Sequence, residues 1–335
     1  MSDSLKDLWE KIQEKKYDDS YCFLCGVELT AGNISKEHVI PQWLQRKYNL
    51  WNQRIALLNK TFIEYRYLTI PCCRTCNNDN LKPVEDRIKE AVDKGIDAFK
   101  ALNKMDVFLW LSKILYGIIY KELFLKFDLK EEESVSITEP EFLKIHETLF
   151  LFLHGYMGQI VYQDFFPASI FIFKTQSYDK NERDWDFVDN PIYLTIGLRM
   201  GNIGIIAVLQ DAETHEFLNE QLKENFEIPF HWIQFRELFS KITYSASLLN
   251  RTPKYIIGFL SKEKKYLVSQ LPLQGLSYKP IFDEWNTSEY AHYLSKYTQI
   301  PYGELYFGER GVWTFMTNEK GEPLFIDCKE EHDKK

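Results

Sequence analysis

The fold of this chain turns on the stretch CFLCGVELTAGNISKEHVIP, residues 22–41, and on its partner further along, CCRTCNNDN, residues 72–80. The first contains Cys22-x-x-Cys25 and, later, Glu37-His38 directly before Val39, Ile40 and Pro41. The second contains Cys73-x-x-Cys76, followed at once by Asn77. Each C-x-x-C unit presents two thiolates to one point, and two such units close a tetrahedral structural Zn²⁺ site. Cys72 lies beside Cys73 and is the alternative ligand, but the C-x-x-C spacing favours Cys73. Cys328 reads as a lone thiol. The opening residues MSDSLKDLWEKIQEKK lack the apolar core of a secretory leader, so metal ligation is the better reading of the cysteines than disulfides.

Between the two cysteine pairs lie 47 residues, from Gly26 to Cys72. A simple zinc ribbon has far fewer. A further structure must be built in that interval, with the metal tying its two ends, and Glu37-His38 falls inside it. Two polar side chains before a β-branched pair are costly as a plain strand start. As a site they could be a metal ligand beside a general base, and the choice depends on the rest of the chain.

Composition sets the outer limits. At 335 residues with 45% apolar and 16% aromatic content, the chain can bury a sizeable core. The net charge of −8 excludes a surface coated throughout for nucleic acid. From Lys36 to Lys89, however, ten Lys/Arg face five Asp/Glu, a local net of +5 that suits phosphate contact. The most apolar run, Val107 to Tyr120, contains Lys113 and is too short for a membrane span. A soluble, cytoplasmic protein with no membrane partner is expected.

The fold class expected is α+β: a small zinc-bound domain, then a larger α+β domain. The divisions read as an N-terminal helix over 1–19, the zinc-bound part over 20–100, an α+β part over 101–328 and a disordered tail over 329–335. Leu5, Leu8, Trp9 and Ile12 mark one face of the opening helix. Pro83, with Glu85 and Asp86 in the first turn, opens a second. A central helix spans about 105–126. The capping box Thr138-Glu-Pro-Glu141 opens another to about His154. Strands are expected at 169–174, 192–198, 203–209 and 255–260, with a hairpin turn at Met200 to Gly204. Helices are expected at 213–225 and 232–249. His146, His154, His215, His231 and His292 lack ligand spacing and read as structural.

The pieces Cys22-x-x-Cys25, Glu37-His38-Val39-Ile40-Pro41 and Cys73-Arg-Thr-Cys76-Asn77-Asn78 together resemble the HNH endonucleases, the zinc-knuckle branch of the ββα-metal nucleases. The resemblance covers residues 20 to 90. It implies that His38 is the general base and Glu37 an acidic ligand of a catalytic cation, Mg²⁺ or Mn²⁺. It implies that Asn77, or else Asn78 or Asn80, helps hold the metal or phosphate. A middle asparagine that orients the base falls to Asn59, with Asn52 next. Cys22, Cys25, Cys73 and Cys76 are then the structural zinc ligands. Arg74 and Lys82 are candidate phosphate contacts, while Trp43, Leu44 and Trp51 read as packing. DNA is the implied substrate ahead of RNA, and a homodimer would cut both strands. The resemblance does not reach the C-terminal part, which is expected to sense an activating ligand or protein, to recognise a target or to mediate assembly, as in a bacterial antiviral defence effector. The rival reading is a zinc-stabilised nucleic-acid-binding module that does not cut.

Overall fold

The computed structural model describes residues 10, 12, 14–128, 135–178, 184–275 and 277–328. In chain order the main elements begin with β1 (Ile34–His38), α1 (Gln42–Lys47), β2 (Arg54–Ala56), β3 (Phe62–Glu64), β4 (Thr69–Cys73), α2 (Lys82–Lys94) and α3 (Lys104–Glu122). They continue with α4 (Glu147–Leu153), β5 (Ile160–Gln163), β6 (Ser169–Lys174), β7 (Trp185–Asn190), β8 (Thr195–Met200) and β9 (Ile203–Val208). The last are α5 (Trp232–Ser247), β10 (Tyr255–Leu260), β11 (Lys265–Gln270) and α6 (Thr287–Thr298). The class is mixed α+β. No helix among the described residues is long and apolar enough to cross a membrane.

The chain forms two units. The first takes in residues 1–90, 102–164 and 256–269, and the second 91–101, 165–255 and 270–335. The central helix α3, expected from sequence to open the second part, thus belongs with the cysteine-bearing residues.

In the first unit α3 is the axis. Every residue from Val107 to Tyr120 is buried, as expected of a helix that is apolar all round. The Asn103 side chain caps it by accepting from the Met105 N–H. Against it lies the antiparallel pair β1–β4, registered Ile34 to Cys73, Glu37 to Ile70 and His38 to Thr69. Gly117 permits that approach: a Cβ there would sit 3.1 Å from both methyl carbons of Val39. Helix α4 packs through rings, Phe150 stacked on Tyr116 at 5.5 Å and Phe152 edge-on to Phe108 at 6.1 Å. A smaller sheet runs in the order β10-β11-β5, with β11 parallel to β5.

The second unit is built on the antiparallel sheet β6-β9-β8-β7. All residues of β8 and β9 are buried, and α5 lays Phe235, Leu238, Phe239 and Ile242 onto the core formed with Phe171, Phe173 and Ile206. Gly197 on β8 makes room for this helix, since a Cβ there would stand 2.9 Å from the Phe239 ring. A capping box at His231 and Gln234 starts α5. Asp211 ties the start of β6 to the turn after β9, accepting from the Ser169 N–H and hydroxyl and from the His215 backbone N–H, with the His215 Nδ1 at 2.8 Å. These three side chains are all buried, which is the structural role expected of His215.

Several expected boundaries move. Strands 169–174 and 255–260 occur as expected, and 203–209 stops at Val208. The strand expected at 192–198 is instead β8, and β7, β5 and β11 carry no clear signal in the sequence. Residues 191–194 join β7 to β8 as a hairpin turn, with Asn190 Oδ1 accepting from the Ile192 and Tyr193 N–H groups. The Thr138 capping box does not form: its hydroxyl donates to the Ile119 carbonyl at 3.1 Å, and the helix opens at Pro140 without a side-chain cap. That helix then breaks at His146, giving 140–145 and α4. The helix expected over 213–225 shrinks to 217–221, where Ala212 and Glu213 take positive φ. The central helix ends at Glu122 rather than 126. Most of the expected N-terminal helix, part of the 128–140 loop and the 329–335 tail lie outside the described residues.

His146 sits at that break with its ring edge-on to Phe142 at 5.0 Å and its Nε2 buried without a hydrogen-bond partner. Burial pushes its pKa down to about 4. The unfolded chain takes up a proton near pH 6.5, before the folded protein does, so stability falls as pH drops from about 6.5 to about 4. We expect this residue to contribute about 3 kcal/mol of acid sensitivity in that window. Denaturant titrations at several pH values should show His146→Phe flattening the curve there and leaving it unchanged above pH 7.5, on the order of one unit beyond the imidazole range.

Candidate functional site

The sulfurs of Cys22, Cys25, Cys73 and Cys76 all lie within 4.8 Å of one another. Tetrahedral Zn–S bonds of about 2.3 Å place sulfurs about 3.8 Å apart. The Cys25–Cys73 separation is 3.7 Å. Adjacent residues on a strand face opposite ways, which separates Cys73 from Cys72. Cys72 remains buried, donates to the Cys73 carbonyl at 3.4 Å and stands 4.0 Å from the Cys22 sulfur. The Cys76 N–H donates to Cys73 Sγ, and Asn80 Nδ2 to Cys76 Sγ. Hydrogen bonds from Cys25, Cys72 and Cys76 pull the Cys22 thiol far down, and the same contacts push Cys72 and Cys76 far up. A divalent cation is the natural means of holding four thiolates together, and the donor set fits one.

Strand β1 leads from this cluster to Glu37 and His38. Alternation along the strand turns Glu37 inward, where it is 5% exposed, and His38 outward to a half-buried position. Burying a carboxylate requires a partner, and α3 supplies it. Lys113, with no exposed surface, donates to Glu37 Oε1 at 2.7 Å and to Glu85 Oε1 at 2.7 Å. The same ammonium reaches the carbonyls of His38 and Val39, each at 3.2 Å. Burial lowers the Lys113 pKa, but Glu37 and Glu85 overcome this and the net shift is upward. Glu37 is pushed up to about 7, by burial first, with Lys113 opposing and Glu85 adding to the rise.

A cavity of about 570 Å³ opens beside this network, and Glu37, His38, Gln42, Asn77 and Glu85 all line it. Lys36, Arg46, Lys82 and Lys89 add four cations to its wall and Asp86 a further acid, with Lys82 paired to Asp86 at 2.6 Å. The Gln42 amide lies 3.2 Å from His38 Nδ1 and 3.3 Å from Nε2, and Arg46 donates to the Gln42 Oε1 at 3.3 Å. Trp51 stacks near the imidazole at 6.2 Å between centroids. Burial, then the Lys113 and Arg46 charges, lower the His38 pKa despite Glu85. Asn77, on the π-helical turn Cys76–Leu81, donates its amide to the Ser35 hydroxyl at 2.8 Å and to the Lys36 carbonyl at 3.3 Å. This leaves its side-chain oxygen as the remaining acceptor.

The expected residues thus separate into two groups. His38, Glu37, Asn77 and Lys82 come together at one cavity. Asn59 does not line it. Asn59 Oδ1 accepts from the Thr61 N–H and hydroxyl, closing the β2–β3 turn, and its Nδ2 donates to the Phe127 carbonyl at 2.7 Å. Asn52 accepts from Arg66 and does not line the cavity either. Arg74 is also absent from the lining. Gln42 is the amide that actually reaches His38. Its signal in the sequence is its position four residues on, just behind Pro41, where α1 begins. Glu85 reads in sequence only as a first-turn acid, and Lys113 only as an interruption of an apolar helix.

Comparison of the chain with protein-family models, with curated proteins and with solved structures gives no match.

Removing Lys113 would leave Glu37 and Glu85 facing one another without a cation. We expect Lys113→Met to cost about 3–5 kcal/mol, the usual penalty for orphaning a buried charge. The triple change Lys113→Met, Glu37→Gln, Glu85→Gln should recover a large part of it. Urea unfolding of the three-residue variant against the single one reads the difference. Equal midpoints would show that the ammonium does not hold the carboxylates.

Proposed function

We propose that the first unit is a metal-dependent phosphodiester hydrolase of the HNH type, acting on DNA. The observation that carries this reading is the convergence of His38, Glu37 and Asn77 on one cation-rimmed cavity beside a four-cysteine cluster. In this reading Cys22, Cys25, Cys73 and Cys76 hold a structural Zn²⁺, which fixes the turn carrying Asn77 against the start of β1. His38 takes the proton of the attacking water, and Gln42, steadied by Arg46, sets the ring orientation. Glu37 and Asn77, joined by Glu85, offer hard oxygen donors suited to Mg²⁺ or Mn²⁺. Such an ion, when bound, would stabilise charge on the scissile phosphate and the leaving oxygen. Lys113 meets Oε1 of Glu37 and of Glu85, and the two carboxyls also hydrogen-bond to each other, which adds to the rise of Glu37. Lys36, Arg46 and Lys89 suit the flanking phosphates, while Lys82 is already paired with Asp86.

A zinc-stabilised module that binds nucleic acid without cutting is the second reading. It is favoured by Lys113, an internal cation already set between the two carboxylates. The readings diverge on His38. Plasmid incubated with Mg²⁺ or Mn²⁺ should be nicked or cut by the wild-type chain. His38→Ala should lose about 10²–10⁴-fold of that rate while keeping one zinc per chain by elemental analysis. Cleavage undiminished in His38→Ala would contradict the hydrolase reading. Binding by both proteins, with cleavage by neither under any metal, would favour the second.

Zinc and phosphate binding are checked separately. Cys76→Ser should abolish zinc retention and unfold the first unit, because binding energy at such a site is folding energy. Replacing Lys36 and Lys89 by Gln should flatten the dependence of log affinity for duplex DNA on log salt, by about 0.9 for each phosphate no longer neutralised.

A further inference from the structure

The second unit contains a cavity of its own. It measures about 600 Å³ and lies among α5, α6, the helix 217–221 and the segment 312–317. This is within the range of small-molecule sites, which combine apolar walls with a few placed polar groups. Two indole side chains line it and remain open, Trp285 at 44% and Trp313 at 55% exposure. Trp285 is braced from behind, edge-on to Tyr244 at 4.6 Å and near Tyr290 at 5.0 Å.

Two charged residues on α5 face the same space. Glu237 is 3% exposed and lines the cavity. One carboxylate oxygen accepts from the Thr314 hydroxyl and the other from the Phe315 N–H. Both donors are neutral, and Glu237 makes no ion pair among the described residues. Lys241, one helical turn on and half-buried, lines the cavity too but does not close a salt bridge with it. Burial pushes the Glu237 carboxyl up to about 7, against the lowering effects of Thr314, Phe315 and Lys241. A buried carboxylate without a cation, and an ammonium four residues along the same helix face, form an unpaired dipolar set beside an indole wall.

We propose that this cavity binds a small zwitterion, an α-amino acid with an apolar side chain. Its ammonium meets Glu237, its carboxylate meets Lys241, and its side chain packs against Trp285 and Trp313. A plain cation leaves Lys241 opposed, and a plain anion meets Glu237 unfavourably. A ligand carrying both signs on neighbouring atoms satisfies each. The desolvated ion pairs and the indole faces supply specificity for charge pattern and for an apolar body. The site belongs to the second unit alone and stands whatever the first unit does to nucleic acid.

Isothermal titration of the full chain with three probes tests it: L-phenylalanine, 2-phenylethylamine, which lacks the carboxylate, and 3-phenylpropanoate, which lacks the ammonium. L-phenylalanine should bind saturably, with each monopolar probe at least about tenfold weaker. Lys241→Met should abolish the preference over 2-phenylethylamine. Glu237→Gln should abolish the preference over 3-phenylpropanoate. Trp313→Leu, at an exposed position that the fold does not need, should weaken all three probes. Absence of saturable phenylalanine binding to the wild-type chain would overturn the proposal. So would equal affinity for the three probes, or a preference that survives unchanged in Lys241→Met.

Discussion

One buried ammonium organises the first unit. Lys113 projects from the middle of an otherwise apolar helix into a pocket of oxygen atoms: the carboxylates of Glu37 and Glu85 and the carbonyls of His38 and Val39. Its desolvation is costly, and only that ring of acceptors makes it tolerable. In return the ammonium fixes three separate segments, the end of β1, the start of α2 and the core of α3. His38 is held in place through its own backbone carbonyl. The awkward sequence Glu37-His38-Val39 is therefore a single device, in which Glu37 and Val39 face the core and present the imidazole on the opposite side.

The cysteine cluster and the lysine network divide the work of positioning. The sulfurs join the loop at Cys22 and Cys25 to the end of β4 and to the turn that carries Asn77. The lysine joins β1 to the helices behind it. Between the two, the cavity wall is defined on both sides, in front of the buried core that α3 forms with Val39, Ile40 and Ile70. The cations around the cavity remain exposed, and Lys82 among them is paired with Asp86 at 2.6 Å.

The sequence is most informative where chemistry is encoded in spacing. The sulfurs of the two C-x-x-C units come together as their spacing implies. The partners that matter most come from far along the chain. Lys113 lies 76 residues from Glu37, and no local pattern pairs them. Glu85 serves equally well as a first-turn acid, and Asn59 looks catalytic because a turn asparagine and a site asparagine are the same residue in sequence. The misplaced strand at 192–198 has a similar cause. Asn190 terminates β7 by capping a turn, which splits an apolar run that reads as continuous. Thr138 misleads because a hydroxyl three residues ahead of a glutamate suits a cap, yet the Ile119 carbonyl at the end of α3 competes for it and wins.

The proposed enzyme would need two distinct metal environments side by side, soft sulfur at the cysteine cluster and hard oxygen at the His38 cavity. Crystals of the full chain grown with Mn²⁺, with anomalous diffraction collected above the zinc and the manganese absorption edges, test this pairing most directly. We expect a zinc peak among Cys22, Cys25, Cys73 and Cys76, and a separate manganese peak bonded to oxygens of Glu37, Glu85 or Asn77. A structure in which the sulfurs hold zinc while Lys113 alone occupies the space between the carboxylates, with no manganese at the cavity, would refute the hydrolase mechanism.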